Sequence, residues 1–202
     1  MLQQSCTYQY VECSRDMLPM ISDVICLPLY DRVFCILATF FCLATYQADV
    51  RAFYKKLYGI ASDSQNDWLL VLGLISTVTL PMIGYFDEHT YSTVHGISAV
   101  LFFLSVGVYA WILSNVLNAN KDKFPVEEHE SIDRLNHMKR IMWISLLSFM
   151  FSMIFGGNNF WLTPFAEWTS TLLFVNYFGL LSMTNKFYDS VAEYNLTPPV
   201  TI

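Results

Sequence analysis

The ionisable residues that border apolar segments are the ones whose types could do chemistry. His95 stands at such a border, and Asp87, Glu88 and His89 form a polar run shortly before it. An imidazole beside carboxylates suggests a metal ion or a proton relay. The spacing, however, matches no zinc signature, and three adjacent residues cannot easily converge on one ion. We therefore interpret residues 87–89 as a hydrated loop, and we expect His95 to reach water or a backbone carbonyl.

Glu167 lies near the start of another apolar segment, within the sequence Ala166–Glu167–Trp168. An ionisable group at that depth is costly unless it is paired or reaches the membrane interface. Two interpretations stay open. After Pro164 the carboxylate can be an acid at the start of its helix, favoured by the helix dipole. Alternatively, it pairs with a partner or serves a function.

The five cysteines fall into two sets. Cys6, Cys13 and Cys26 lie near the N-terminus, where two of them could form a disulfide in an oxidising compartment. The sequence does not fix which two are joined, and one would stay free. Cys35 and Cys42 lie on one face of the first apolar segment, and we expect them to pack as small apolar side chains.

The sequence carries no recognisable catalytic signature. The apolar segments contain no paired carboxylates, no Ser/His/Asp order, no phosphate-binding glycine loop and no pair of histidines suited to haem. Transporters and pumps usually show charges or broken helices at mid-membrane depth. We therefore expect a protein that is not an enzyme, with no catalytic, cofactor-binding or metal-binding residues and no cofactor beyond structural lipids.

The elements that must position these residues are apolar helices. Of the 202 residues, 54% are hydrophobic and only 14% are charged, whereas soluble domains carry about 25% charged residues. A helix needs roughly 20 mainly apolar residues to cross a bilayer. Five segments qualify: Leu29–Tyr46, Trp68–Phe86, Val94–Val116, Ile141–Phe155 and Phe165–Met183. The sequence thus predicts an all-α polytopic bundle of five transmembrane helices in one membrane domain, with a polar N-terminal segment (1–28), the bundle (29–184) and a C-terminal tail (185–202).

The basic residues predict an orientation. Nine of the 11 lie in the loops after the first, third and fifth segments, and only Arg15 and Arg32 lie on the other side. The positive-inside rule then places the N-terminus outside and the C-terminus inside. The net charge of −6 gives no reason to expect nucleic-acid binding.

The connection 118–138 mixes charges of both signs, and from Pro125 onward it could begin a helix. We interpret it as a solvated link between helices, with a docking surface for a neighbouring subunit as the alternative. Within the third segment, small residues offer surfaces for close helix packing: Gly96, Ala99, Gly107 and Ala110.

Several motifs resemble one known family. Residues 18–23 read Leu-Pro-Met-Ile-Ser-Asp, similar to the Leu-Pro-x-Ile-Ser-Asp motif of the damage-regulated autophagy modulators (the DRAM, Frag and Sfk-type membrane proteins). Further matches follow in order: Asn66, Leu69–Leu70, Gly73, His95–Gly96, Tyr109–Ala110–Trp111 and Ala166–Glu167–Trp168. The polar positions that match are Ser22, Asp23, His95 and Glu167. The resemblance carries over no catalytic residue.

The resemblance also implies an architecture and roles. The family normally has six spans, the first before the Ile-Ser-Asp motif, but here only polar residues 1–17 precede that motif, so we expect the first helix to be missing. The implied roles are lysosomal autophagy, remodelling of GPI-anchor lipids or organisation of phosphoinositide kinases.

Three functions follow from these observations. The first is a non-catalytic accessory subunit of a large membrane assembly, such as a respiratory complex of the mitochondrial inner membrane, whose partners are lipids and other subunits. The alternative is an endomembrane protein of the lysosome, Golgi or plasma membrane that acts in autophagy or in GPI-anchor and lipid remodelling. A third, a lipid-modifying enzyme, requires a polar pocket within the bilayer.

Overall fold

The computed structural model describes residues 20–25, 30–57, 59–88, 90–124, 126–155 and 162–183. In chain order its helices are α1 (Ile21–Ile25), α2 (Tyr30–Thr45), a π-helical turn (Tyr46–Val50), α3 (Arg51–Lys56), α4 (Asp63–Tyr85), α5 (Ser92–Ala119), a 3-10 turn (Lys121–Lys123), α6 (Val126–Phe155) and α7 (Leu162–Met183). The all-α prediction is therefore confirmed for this part of the chain. The candidate disulfide cysteines Cys6, Cys13 and Cys26, His89, the expected loss of a first helix and the C-terminal tail all lie outside the described residues.

Local sequence sets the start of α4. The Ser62 hydroxyl accepts a hydrogen bond from the Gln65 backbone N–H at 3.3 Å, and the Gln65 side-chain oxygen accepts one from the Ser62 backbone N–H at 3.1 Å. This reciprocal capping box satisfies two donors that a helix start otherwise leaves without partners. It moves the beginning of α4 to Asp63, five residues before the apolar segment predicted from Trp68.

Two of the described helices, α4 and α5, are long and apolar enough to cross a bilayer by length and composition. A shorter apolar stretch, Arg32–Thr45, makes up most of α2. Exposed large side chains such as Phe40, Ile97 and Leu172 cover the outer faces of α2, α5 and α7, as expected for surfaces that meet lipid. These helices have the length and composition that a membrane requires, while the full set of five spans stays a prediction.

The connection 118–138 contains the helix that the sequence suggested from Pro125 onward. Most of it is helical, because α6 begins at Val126 and runs without interruption to Phe155. Glu127 and Glu128 occupy the first turn, where the helix dipole favours acids. The half of α6 before Ile141 is therefore a charged extension of the apolar half.

The long helices pack antiparallel in chain order, with close contacts between α2 and α4, α4 and α5, α5 and α6, and α6 and α7. Two glycines let α4 approach its neighbour closely. A Cβ at Gly73 would lie 2.5 Å from a methyl of Val50, and one at Gly84 would lie 2.6 Å from the Phe34 ring. The first and last helices of this series, α2 and α7, are not among the closely packed pairs, and we call the boundary between them the seam. Helix α1 and the π-helical turn contact α7 across that seam.

Candidate functional site

A cavity of about 300 Å³ lies inside the bundle, between α2, α4, α5 and α7. Helix α1 lies over one end of it, through Ile21 and Ser22. Most of the wall is hydrocarbon or aromatic: Phe34, Leu37, Ala38, Phe41, Leu80, Ile83, Ala99, Phe102, Phe103, Val106, Phe174, Val175 and Phe178. The cavity is thus an apolar chamber between four helices with a short fifth helix at one end.

Glu167 fixes α1 to α7. Its carboxylate oxygen Oε2 accepts a hydrogen bond from the backbone N–H of Ile21 at 2.7 Å, and its side chain is buried. Because α7 begins at Leu162, Glu167 lies beyond the first turn of its own helix, which contains no acid. The interpretation as an acid at the start of α7 is therefore wrong, since the carboxylate binds the first residue of α1 instead.

Ser22 follows directly in α1 and also lines the cavity. It is 5% exposed, and its hydroxyl oxygen has no hydrogen-bond partner. A buried hydroxyl without a partner is unfavourable by about 1–3 kcal/mol. Asp23 lies beside Ser22 in α1.

His95 supplies the third polar group, from the first turns of α5. Its Nδ1 lies 3.0 Å from the carbonyl oxygens of both Ile83 and Phe86, at the end of α4. Both oxygens are acceptors, so Nδ1 carries the hydrogen and donates it there. These carbonyls belong to a helix end, where backbone acceptors lack partners within the helix. The ring is thereby fixed in place, and Nε2 is left for another contact.

Three of the four polar positions that match the family motifs therefore line one cavity. Ser22, His95 and Glu167 come from α1, α5 and α7, and each is less than 10% exposed. They meet only because the helices pack, since they are far apart in the sequence. The wall also includes the hydroxyls of Thr45 and Thr171, and those of Ser76 and Thr77, which donate to carbonyls of their own helix at 2.8 and 3.0 Å.

Aromatic contacts build the wall opposite α2. Phe174 of α7 packs against Phe102 and Phe103 of α5, with ring centroids 6.1 and 5.5 Å apart. Deeper in the bundle, the Tyr177 hydroxyl lies 2.9 Å from that of Ser114. These contacts hold α5 and α7 together on the side away from the seam.

The remaining polar candidates lie elsewhere. The Asp87 carboxylate accepts a hydrogen bond from the Thr90 backbone N–H at 2.7 Å, which is a contact within the loop. His129 Nε2 lies 3.1 Å from the carbonyl oxygen of Phe124. Cys35 and Cys42 are buried in α2, as predicted for small apolar side chains, and Cys42 forms part of the apolar cavity wall. Within the described ranges, no group of three or more acidic, histidine or cysteine side chains is arranged to hold a metal ion.

A second polar contact was not predicted from the sequence. Lys139 of α6 donates to the side-chain oxygen of Asn115 at 2.6 Å, and its ammonium lies 4.8 Å from the centre of the Trp111 ring. Burial, and then the neighbouring Arg140, lower the pKa of Lys139. In the sequence this lysine counted only as an orientation charge. No signal in the sequence pointed to its partners, since both lie on α5.

A protein-family model described as the Frag1/DRAM/Sfk1/Cwh43P N-terminal domain matches residues 1–184. No curated protein and no solved structure gives a significant match.

Proposed function

The chain belongs to the Frag1/DRAM/Sfk1/Cwh43P family, and we propose that it is a DRAM-type endomembrane protein acting in autophagy or in the remodelling of GPI-anchor and other lipids. The match over residues 1–184 is the observation that carries this proposal. Together with the apolar helices, it identifies an integral membrane protein. The expected accessory subunit of a respiratory complex and its mitochondrial inner membrane have no support in the match or in the fold.

We further propose that the protein works by binding rather than by catalysis. The arrangement of the polar groups supports this. The Glu167 carboxylate binds the backbone of α1, and His95 Nδ1 binds two backbone carbonyls. In a hydrolase, a carboxylate commonly orients the catalytic histidine through that ring nitrogen. In this protein the Glu167 carboxylate and His95 Nδ1 instead bind backbone groups and so join the helices around the cavity.

The test is to locate the protein in its native cells. A tagged full-length chain is followed by membrane fractionation, and gently solubilised membranes are separated by native electrophoresis. We expect a small particle in lysosomal, Golgi or plasma membranes. Removal of the protein should change autophagic flux or the lipid composition of GPI-anchored proteins. Co-migration with a megadalton complex of the mitochondrial inner membrane would overturn the proposal.

A further inference from the structure

The Ser22 hydroxyl points to a ligand. Ser22 is only 5% exposed and lines the cavity, and its hydroxyl has no hydrogen-bond partner in the protein. Other buried hydroxyls in the described part of the bundle, such as those of Ser76 and Ser105, donate to carbonyls of their own helix. A buried polar group without a partner calls for an explanation, and a bound molecule that completes its hydrogen bonding is one.

The histidine and the carboxylate of the cavity wall both lie at one end. Ser22, His95 and Glu167 lie at the end covered by α1, and the rest of the wall is mainly aliphatic and aromatic. This distribution fits a molecule with one hydrogen-bonding end and one hydrocarbon end. A volume of about 300 Å³ lies at the lower limit of small-molecule pockets, about 300–1,000 Å³, so it suits one hydrocarbon chain rather than two.

The charge of the site selects among such molecules. No lysine or arginine belongs to the cavity wall formed by the described residues, while the Glu167 carboxylate does. Phosphate and carboxylate headgroups are typically bound by arginine or lysine. Ser22 can donate or accept, and His95 presents its Nε2 because Nδ1 donates to backbone carbonyls. These groups suit an uncharged headgroup with hydroxyls.

The seam between α2 and α7 offers a route from the bilayer. Leu37 and Phe41 of α2 and Val175 of α7 line the cavity and are also 62%, 42% and 52% exposed on the outer surface. They therefore lie where the cavity meets the surrounding lipid. A chain could pass between them without disturbing the closely packed helix pairs.

From this geometry we propose that the cavity binds a neutral, hydroxyl-bearing lipid, with one hydrocarbon chain inserted between α2 and α7 and its headgroup at Ser22, His95 and Glu167. This ligand rests on the part of the proposed function that concerns lipids, and it gives the class of lipid that the protein would bind. A monoacylglycerol has the required chemistry and serves as the probe.

The test uses the full-length protein in detergent with a monoacylglycerol that carries a photoreactive group in its chain. We expect saturable labelling of peptides from α2, α5 and α7, suppressed by excess unlabelled monoacylglycerol. Lysophosphatidic acid or a free fatty acid of the same chain length should compete at least roughly tenfold less well. Equal competition by the anionic lipids, or absence of saturable labelling, would overturn the proposal. Absence of labelling is also the result expected if another part of the chain fills the cavity.

Ser22→Ala distinguishes a ligand site from a structural role. The variant removes a hydroxyl that has no protein partner, so the lipid-free protein should unfold at the same or a slightly higher temperature. Affinity for the monoacylglycerol should fall roughly threefold to tenfold through loss of one hydrogen bond. The matched control is Ser76→Ala, whose hydroxyl lines the cavity but donates to Gly73. It should bind as the wild type does, and equal affinity in Ser22→Ala would overturn the headgroup assignment.

These experiments distinguish failure of the ligand site from failure of the proposed function. Selective labelling by a protein found in an unexpected membrane would leave the ligand site intact and contradict only the cellular role. Endomembrane location without labelling would contradict only the ligand site.

Discussion

At the residue scale, Glu167 is the side chain with the largest consequence for the site. Its hydrogen bond to Ile21 holds α1 over the cavity, and hydrogen bonds to a charged group contribute about 1.5–3 kcal/mol. Replacing Glu167 with Ala should release α1, whereas Gln keeps an oxygen that can accept from the same N–H. We expect a loss of roughly 1.5–3 kcal/mol in the free energy of unfolding for Ala and about half of that for Gln.

Hydrogen exchange at the Ile21 amide measures this directly. The amide should exchange much faster in Glu167→Ala than in the wild type, and at an intermediate rate in Glu167→Gln. Unchanged protection in the Ala variant would show that α1 is held by other contacts.

Lys139 gives a prediction about pH. Its pKa is lowered in the folded chain, first by burial and then by Arg140. Between the folded and the unfolded pKa the unfolded chain binds more protons, so the free energy of unfolding rises with pH across that interval. The interval lies just below the ordinary pKa of lysine. Lys139→Met removes the titration, so the wild type should gain stability relative to this variant as the pH rises through that range.

Thermal unfolding of both proteins in the same detergent, from neutral pH upward, checks the sign. Lys121 is the matched control, because it is a partly exposed lysine paired with Asp133 at 2.7 Å and its replacement by Met removes no desolvated charge. A wild-type advantage over Lys139→Met that shrinks as the pH rises would contradict the assignment.

At the element scale, α4 is positioned by the absence of a side chain at Gly73. An added Cβ would lie 2.5 and 2.7 Å from the two methyls of Val50, in the π-helical turn. Gly73→Ala should therefore destabilise the fold by about 1–3 kcal/mol through overpacking. Adding Val50→Ala should restore much of that loss, because the atoms in the way belong to that side chain. Additive losses in the double variant, measured by thermal unfolding, would contradict this contact.

Gly96 provides the comparison. It lies in α5 with nothing within 4 Å of an added Cβ, so Gly96→Ala should stabilise the protein by about 0.5–1 kcal/mol through helix propensity. The sequence suggested close packing at both Gly96 and Gly107. Of these two glycines, the structure supports Gly107, where an added Cβ would lie 3.1 Å from Leu146. Periodicity identified the helix correctly but could not say which of its faces meets a neighbour.

The same physical reason explains what the sequence predicted of the site. The lengths of the apolar segments predicted the bounds of α4 and α5 to within a few residues, because a helix that crosses a membrane needs a long apolar segment. The polar end of the cavity was found only as separate family-motif positions, because residues 22, 95 and 167 converge through packing. The apolar wall of the cavity could not be predicted, because residues such as Phe34 and Phe174 have the same apolar character as side chains that face lipid.

At the scale of the whole molecule, the fold separates charge from the cavity's polar end. Helix α3, the 3-10 turn Lys121–Lys123 and the charged half of α6 lie at one end of the antiparallel bundle, joined in part by the Lys121–Asp133 pair. Ser22, His95 and Glu167 lie at the other end. From the positive-inside rule we expect the basic end to face the cytosol. The headgroup site then faces the lumen or the cell exterior, so the proposed lipid would be drawn from the non-cytosolic leaflet.

Glycosylation mapping tests this orientation. An acceptor sequon placed in the loop 86–91 should be modified, and one placed at residues 120–124 should not, because only the lumenal side meets the glycosylation enzymes. The chain supplies its own control, since Asn195–Leu196–Thr197 is a formal sequon on the predicted cytosolic side and should stay unmodified. Asn195→Gln should therefore leave the electrophoretic mobility unchanged. Modification at residues 120–124 or at Asn195 would invert the orientation and move the headgroup site to the cytosolic leaflet, while the cavity and its ligand class would stay as proposed.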